Sequence, residues 1–333
     1  MTTKLILKKI SKWLGIIVAG IIILVLCALF CFRIAAFFRE SHDRQTVAPS
    51  GGHFVQAGDV KLFIQEMGSS TNPAVIFIHG TGAWSETWKQ TMRVVTAQGF
   101  HAIAVDMPPF GYSTLPSSAK YSREDQAKRI IALLDTLHIQ KATIVGHSYG
   151  GGATVEVAML APDRVSSLVL VDPALGLDSG DEQPLLLIKS ILAWRPIRNI
   201  FVASTISNPI FSRKLLTLFI NDPRNATDAW VNLYQQPMNV KGVTNAVGDW
   251  LPILIYPDSV SKSSDKAMYA KLGMPVHIIW GEKDSITPLV QGKHLHDLIP
   301  HSELTVLPNV GHIPQIEDPR QFEKALLQFL QQS

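Results

Sequence analysis

Hydrophobic and polar positions divide the chain into three regimes. The first is residues 13–32, an uncharged apolar run about as long as the ~20 residues a helix needs to cross a bilayer core. The second, residues 53–173, alternates short β-branched and apolar runs with helical stripes. Residues 53–57 and 60–67 read as strands joined by Gly58 and Asp59, a hairpin signal. Further strands are predicted at 74–79, 101–105, 141–145 and 165–173. Helical patterns lie between them at 85–98, with Trp88, Met92 and Val95 on one stripe, and at 123–137, with Ala127, Ile130, Ile131 and Leu134. Another helix begins at Gly151. The third regime, residues 174–272, carries helical patterns without a clear central strand: 185–194, 197–202, 211–220 and 227–234. Alternation then resumes with a strand at 275–281, a helix at 287–299, a strand at 303–307 and a helix at 319–331. Strands alternating with helices predict a mostly parallel sheet covered on both faces. The helical block after the sixth strand reads as an inserted cap.

Charge sharpens the reading of the first regime. Lys4, Lys8, Lys9 and Lys12 precede the apolar run, and Arg33, Arg39 and Arg44 follow it. That slight excess places the N-terminus in the cytoplasm and the bulk of the chain outside, by the positive-inside rule. The run is longer than the ~7–15 apolar residues of a signal peptide, and Ala35-Ala36 is a poor cleavage site. An uncleaved single-pass anchor is therefore expected. Residues 1–45 carry a net charge of +5 and the whole chain +3, so the remainder is about −2 and has no global basic footprint for nucleic acid. Both cysteines, Cys27 and Cys31, fall inside the apolar run, so the body has neither a disulfide framework nor a Cys metal site. The expected organisation is a basic cytoplasmic segment (1–12), a transmembrane anchor (13–38), a linker lifting the domain off the membrane (39–52), a first core part (53–173), a helical cap (174–272) and a second core part (273–333).

Chemistry concentrates where the fifth strand meets its helix. Gly-His-Ser-Tyr-Gly at 146–150 matches the G-x-S-x-G nucleophile elbow, and it stands in the strand–turn–helix context that the pattern requires. A serine aimed out of so sharp a turn needs nearly side-chain-free neighbours, which Gly146 and Gly150 supply. The following helix directs free N–H groups and a positive dipole end at the place where an oxyanion would form. Ser148 needs an adjacent base. His312, in a Gly-flanked loop after the last strand, is the best candidate; His79 and His147 are rivals in motif positions, and His294, His296 and His301 look solvated. The base in turn needs a carboxylate. Asp284 lies just past the seventh strand, with Glu282 two residues away and Asp172, after the sixth strand, as a second candidate.

Five motifs in a fixed order now stand together: His-Gly-Thr-Gly at 79–82, Asp106 to Ser113, the elbow at 146–150, Gly-Glu-Lys-Asp at 281–284, and Gly311-His312. From about residue 54 onward the chain resembles the α/β-hydrolase fold family, with a cap domain. The nearest likeness is to the membrane-anchored monoacylglycerol-lipase-like branch. The resemblance implies an eight-stranded, mostly parallel sheet and a triad of Ser148, Asp284 and His312. It assigns His79 and His147 supporting roles, and it implies an oxyanion hole from the backbone N–H groups of Thr81 and Tyr149. Pro109 stands where the family usually has glycine, so the 106–113 turn is expected to be slightly reshaped.

The strongly apolar cap segments 185–188, 191–194, 200–202 and 215–220 either form the cap's own core or favour an acyl chain or lipid. The expected activity is carboxylic ester hydrolysis through an acyl-enzyme, on a small-molecule ester or lipid. Nothing asks for a metal or organic cofactor, and the oligomeric state is not encoded in any pattern found. Two other functions fit the same scaffold. One is carbon–carbon bond hydrolysis of a dienoic acid, whose enzymes usually follow the last histidine with tryptophan, where this chain has Ile313. The other is a silent binding module, which would usually have lost a triad member.

Overall fold

The computed structural model describes residues 2–177, 190, 192–256 and 260–332. Its centre is one eight-stranded sheet, made of β1 (His53–Ala57), β2 (Val60–Met67), β3 (Ala74–Ile78), β4 (His101–Val105), β5 (Ala142–His147), β6 (Val165–Val171), β7 (Val276–Gly281) and β8 (Ser302–Leu307). The spatial order is β1-β2-β4-β3-β5-β6-β7-β8. The β1/β2 and β2/β4 pairs are antiparallel, and every later pair is parallel.

Side-chain alternation explains why the central strands read as continuous apolar runs. Along β3, Ile76 and Ile78 join one core with Ile130, Leu133 and Leu134 of α4 (Arg123–Thr136) and with α5 (Tyr149–Leu160). Val75 and Phe77 point the other way, into a second core. There they meet Trp88, then Met92 and Val95 of α3 (Lys89–Thr96), and Phe322 of a C-terminal helix (Pro319–Leu330). A strand covered on both faces has no polar side to show. The predicted helix over 85–98 is split in two. Ser85–Trp88 forms a 3-10 turn because the Ser85 N–H is drawn onto the Asp106 carboxylate at 2.7 Å, and α3 starts only afterwards.

The cap segment departs from its reading in two respects. Of the expected helix at 185–194, most lies outside the described residues. The other three patterns appear as Arg195–Ser204, Ser212–Phe219 and Asp228–Gln235, and a further helix, Val243–Ile255, was not read from the sequence. This helix is apolar around much of its circumference and carries Pro252, so it shows neither a clean stripe nor a normal composition. It joins the cap to the core: Trp250 is fully buried and packs edge-on against Tyr149 and Phe110, with ring centroids 5.1 and 4.9 Å away.

At the N-terminus, α1 (Thr2–Arg39) is one helix that includes both the expected basic segment and the expected anchor, and a single turn, α2 (Arg44–Val47), follows it. Its apolar part, Leu7–Arg39, has 33 residues, long and apolar enough to cross a membrane. At ~1.5 Å per residue it exceeds a ~30 Å hydrocarbon core by about 20 Å. The excess is docked. Leu29, Phe32, Arg33, Ala36 and Arg39 lie at three- and four-residue spacing and are, among the side chains described, the covered positions of an otherwise exposed helix. Arg33 donates to Asn245 Oδ1 at 3.1 Å, and Phe32 meets Phe211 edge-on.

The expectation of a spacer at 39–52 is corrected here. Glu40 accepts from the Thr244 hydroxyl and N–H, and the Lys241 N–H donates to His42 O at 2.9 Å. Arg44 is buried, donating to the backbone carbonyls of Gly111 (3.0 Å), Ser113 (3.3 Å) and Lys241 (3.5 Å), while burial pulls its pKa down to about 10. The polar composition that suggested a free linker supplies the groups that fasten this segment to core and cap. Arg44→Met leaves buried carbonyls unpaired, each costing roughly 1–3 kcal/mol. A net loss of about 2–3 kcal/mol is expected in the urea denaturation of the detergent-solubilised full chain. An unchanged midpoint would show that the three carbonyls find other donors.

Candidate active site

β5 ends at His147 and α5 begins at Tyr149, which leaves Ser148 alone at the bend with φ 50° and ψ −124°. Such a conformation costs a non-glycine residue of order 1–3 kcal/mol and persists only where the surroundings enforce it. The enforcement is steric. A Cβ on Gly146 would run into Thr154, and one on Gly150 into the backbone of His79. Ser148 is held from β6 as well, its N–H donating to Val171 O at 3.0 Å.

His312 lies in the loop after β8 and Asp284 in the loop after β7, both at the carboxyl edge of the sheet beside Ser148. The Ser148 hydroxyl donates to His312 Nε2 at 2.8 Å, and His312 Nδ1–H donates to Asp284 Oδ2 at 2.7 Å. Three residues remote in sequence thus form one continuous hydrogen-bonded line. Asp284 also accepts from the N–H groups of Ile286 (2.8 Å) and Thr287 (2.9 Å) and from the Thr287 hydroxyl (2.7 Å). Burial pushes its carboxyl up, but the hydrogen bond and charge of His312 and the Thr287 donors outweigh it, so its pKa lies below the usual carboxylate range.

The other acids are placed differently. Asp172, at the end of β6, is fully buried with φ 42° and accepts from Gly281 N–H at 2.8 Å. Burial first and the adjacent Asp284 second drive its pKa well above that of an ordinary aspartate, the opposite direction from Asp284. Glu282 turns away to accept from Asn309 N–H at 3.1 Å. Among the described residues, Asp172, Asp284 and His312 are the one group whose ligand atoms could share a metal ion, lying within 4.8 Å of one another. Two of those groups, Asp284 and His312, are already joined by a hydrogen bond, an arrangement suited to moving a proton.

The rival histidines hold backbone. His79 donates from Nδ1 to Gly80 O at 2.8 Å and accepts the Met107 N–H on Nε2 at 2.9 Å, with burial lowering its pKa to about 4. His147 donates from Nε2 to the carbonyl of His312 itself at 2.7 Å; burial, and then the nearby His312, lower its pKa to about 3. His294, His296 and His301 do not line the cavity at Ser148. That cavity encloses about 200 Å³ and is almost wholly apolar. Thr81, Ser148 and His312 form its floor, while Leu215, Leu216 and Phe219 descend from the cap. Gly80 brings the Thr81 loop so close that a Cβ there would sit 2.8 Å from His147 and 2.9 Å from Ser148. Behind that loop, Asp106 accepts from the N–H groups of Ser85 (2.7 Å) and Tyr112 (2.6 Å). Burial holds its pKa up at about 6 against those bonds. The Pro108–Pro109 bond within the same turn is cis.

Sequence reasoning missed the grip of His147 on His312, and it missed Thr287. For Thr287 a signal existed: an aspartate with a threonine three residues on, in a post-strand loop, is a local side-chain-to-backbone turn.

A parallel sheet with its elbow serine, imidazole and carboxylate at the carboxyl edge defines a class, and the chain belongs to it: the alpha/beta hydrolase fold family, whose pattern matches residues 73–319. Among characterised relatives, 2-hydroxymuconate semialdehyde hydrolase of Pseudomonas sp. (strain CF600) is 29% identical over 289 residues, covering 85% of this chain and 95% of its own. The solved meta-cleavage product hydrolase of Pseudomonas fluorescens IP01, a serine-to-alanine mutant complexed with acetates, superposes with a TM-score of 0.68 at 25% identity, covering 84% of this chain and 98% of that one. A membrane phospholipase A described as a bacterial virulence factor shares the fold with a TM-score of 0.67 at 23% identity, covering 96% and 95% of the two chains.

Proposed function

We propose that this chain is a membrane-anchored serine hydrolase that cleaves carboxylic esters with apolar acyl chains. The observation that carries the reading is the line Ser148–His312–Asp284 at the floor of an apolar cavity of about 200 Å³. Ser148 attacks the acyl carbon as its proton passes to His312 Nε2, and the imidazolium is stabilised by ionised Asp284. The tetrahedral oxyanion is received by the backbone N–H groups of Tyr149 and Thr81. Losing one such donor costs ~10²–10³ in turnover. His312 then protonates the leaving alcohol, and water deprotonated by the same imidazole releases the acid.

Carbon–carbon hydrolysis is the second reading, favoured by the activities named for the Pseudomonas relatives. Against it, no Lys or Arg is among the described residues lining the cavity, although the carboxylate of a dienoic acid needs a partner there. An acyl chain needs none. The expected profile with p-nitrophenyl esters is a rise in kcat/KM of about fourfold per added methylene, from ~0.8 kcal/mol per buried CH₂, levelling off once the cavity is full. Preference confined to acetyl esters would remove the lipid reading, and faster turnover of a 2-hydroxy-6-oxo-dienoic acid would move the reaction to carbon–carbon bonds.

For placement, the chain is read as single-pass, with residues 1–12 cytoplasmic and the catalytic body outside. The core at 53–173 and 273–333 is interrupted by the cap at 174–272. The bilayer exit is read near residue 28 rather than 38, because Phe32, Arg33, Arg39 and Glu40 contact Phe211, Asn245, Met238 and Thr244 and so bring polar groups alongside residues 29–40. Polar side chains and backbone groups bonded to one another in this way belong in water-facing protein, not in hydrocarbon.

A further inference from the structure

His312 spans the joint between core and cap. Its carbonyl is held from the core by His147 Nε2–H at 2.7 Å. Its N–H is held from the cap, donating at 2.9 Å to the carbonyl of Phe219, the last residue of the Ser212–Phe219 helix. The Phe219 ring also lies against the imidazole, with centroids 5.7 Å apart, and lines the cavity beside Leu215 and Leu216.

The joint is bolted just beyond that carbonyl. Glu317 Oε2 accepts from the Asn221 N–H of the cap at 2.7 Å, while Oε1 accepts from the Ile313 N–H at 3.3 Å. The carboxylate also takes the N–H groups of Gly311 and Asp222, so one side chain gathers backbone donors from the histidine loop and from the cap. Asn221 Nδ2 closes the circuit onto Asn309 O at 3.0 Å. A Cβ on Gly311 would stand 2.6 Å from Asn221 N and 2.7 Å from Glu317 Oε1, which leaves no room for slack.

We propose that Glu317 is a positioning residue that makes the placement of His312 depend on what fills the cavity under the Ser212–Phe219 helix. An acyl chain packed against Leu215, Leu216 and Phe219 fixes the helix, and the helix end fixes the N–H of the base through Phe219 and the Asn221–Glu317 bond. Chain length then raises kcat as well as affinity. A short acyl group leaves the helix unsupported and His312 less well aligned with Ser148. The inference rests on the serine-hydrolase reading above.

The test compares kcat and KM for acetyl and octanoyl p-nitrophenyl esters in the full-length protein, in Glu317→Ala, in Glu317→Gln and in Asn221→Ala. Asn221→Ala removes only the side-chain bond to Asn309 and stays informative if the Glu317 variants fold poorly. In the unmodified protein kcat is expected to be higher for octanoyl. Glu317→Ala should lower octanoyl kcat about tenfold, within the 10² that a ~1 Å misplacement can cost, and leave acetyl kcat nearly unchanged. Glu317→Gln, which keeps one acceptor, and Asn221→Ala should fall in between. Equal losses on both esters would reduce Glu317 to a loop brace and overturn the inference, as would equal kcat for the two esters in the unmodified protein. Ser148→Ala run alongside separates the two levels: turnover surviving in that variant removes the catalytic reading itself.

Discussion

Ser148→Ala is expected to lower octanoyl ester turnover by about 10⁴–10⁶-fold with little change in KM, the pattern of a lost nucleophile. The substitution keeps a Cβ at φ 50°, so the bend is neither relaxed nor worsened, and it removes one hydroxyl that donates to His312 at 2.8 Å. Fold and denaturation midpoint should therefore hold while labelling by a fluorophosphonate vanishes. Residual catalysis over water would come from the oxyanion donors and the cavity. Turnover within tenfold of the unmodified protein would mean that the bond is broken by something other than an acyl-enzyme at this serine.

The second large effect separates two buried acids. Asp284→Asn should cost about 10⁴-fold, because an amide facing Nδ1 stabilises the wrong imidazole tautomer and leaves Nε2 unable to accept the serine proton. The amide would also face the Thr287 hydroxyl, which now donates to Oδ2 at 2.7 Å. Asp172→Asn should cost less than about tenfold, since burial already disfavours the charged form there, and the amide is a neutral isostere that can keep the Gly281 bond. Steady-state kinetics on the two single variants decides the matter. The reverse ranking would move the functional acid from the β7 loop to the end of β6, a placement that residue types alone leave open.

How much was legible depended on how local the information is. The strands 53–57, 60–67 and 101–105 were read with the bounds the fold has, since period and β-branching are written residue by residue. The helix Val243–Ile255 was not, because it is defined by what surrounds it: Trp250 is apolar surface until Tyr149 and Phe110 close on it. The segment 39–52 read as a spacer for the complementary reason. Arg44 and Glu40 look solvated until a carbonyl 67 positions away and a hydroxyl 204 positions away are placed beside them.

By itself, then, the sequence determined the alternation that builds the sheet, the glycine-flanked bend that sets Ser148 apart, and the order in which serine, acid and base follow one another. All three are encoded in neighbouring residues through backbone geometry and side-chain period. Tertiary structure decided which carboxylate meets His312, which face of the cap roofs the cavity, and how the N-terminal helix is fastened to the body. Those outcomes depend on burial and hydrogen bonding between segments far apart in the chain, and distance in space is not written in any local pattern.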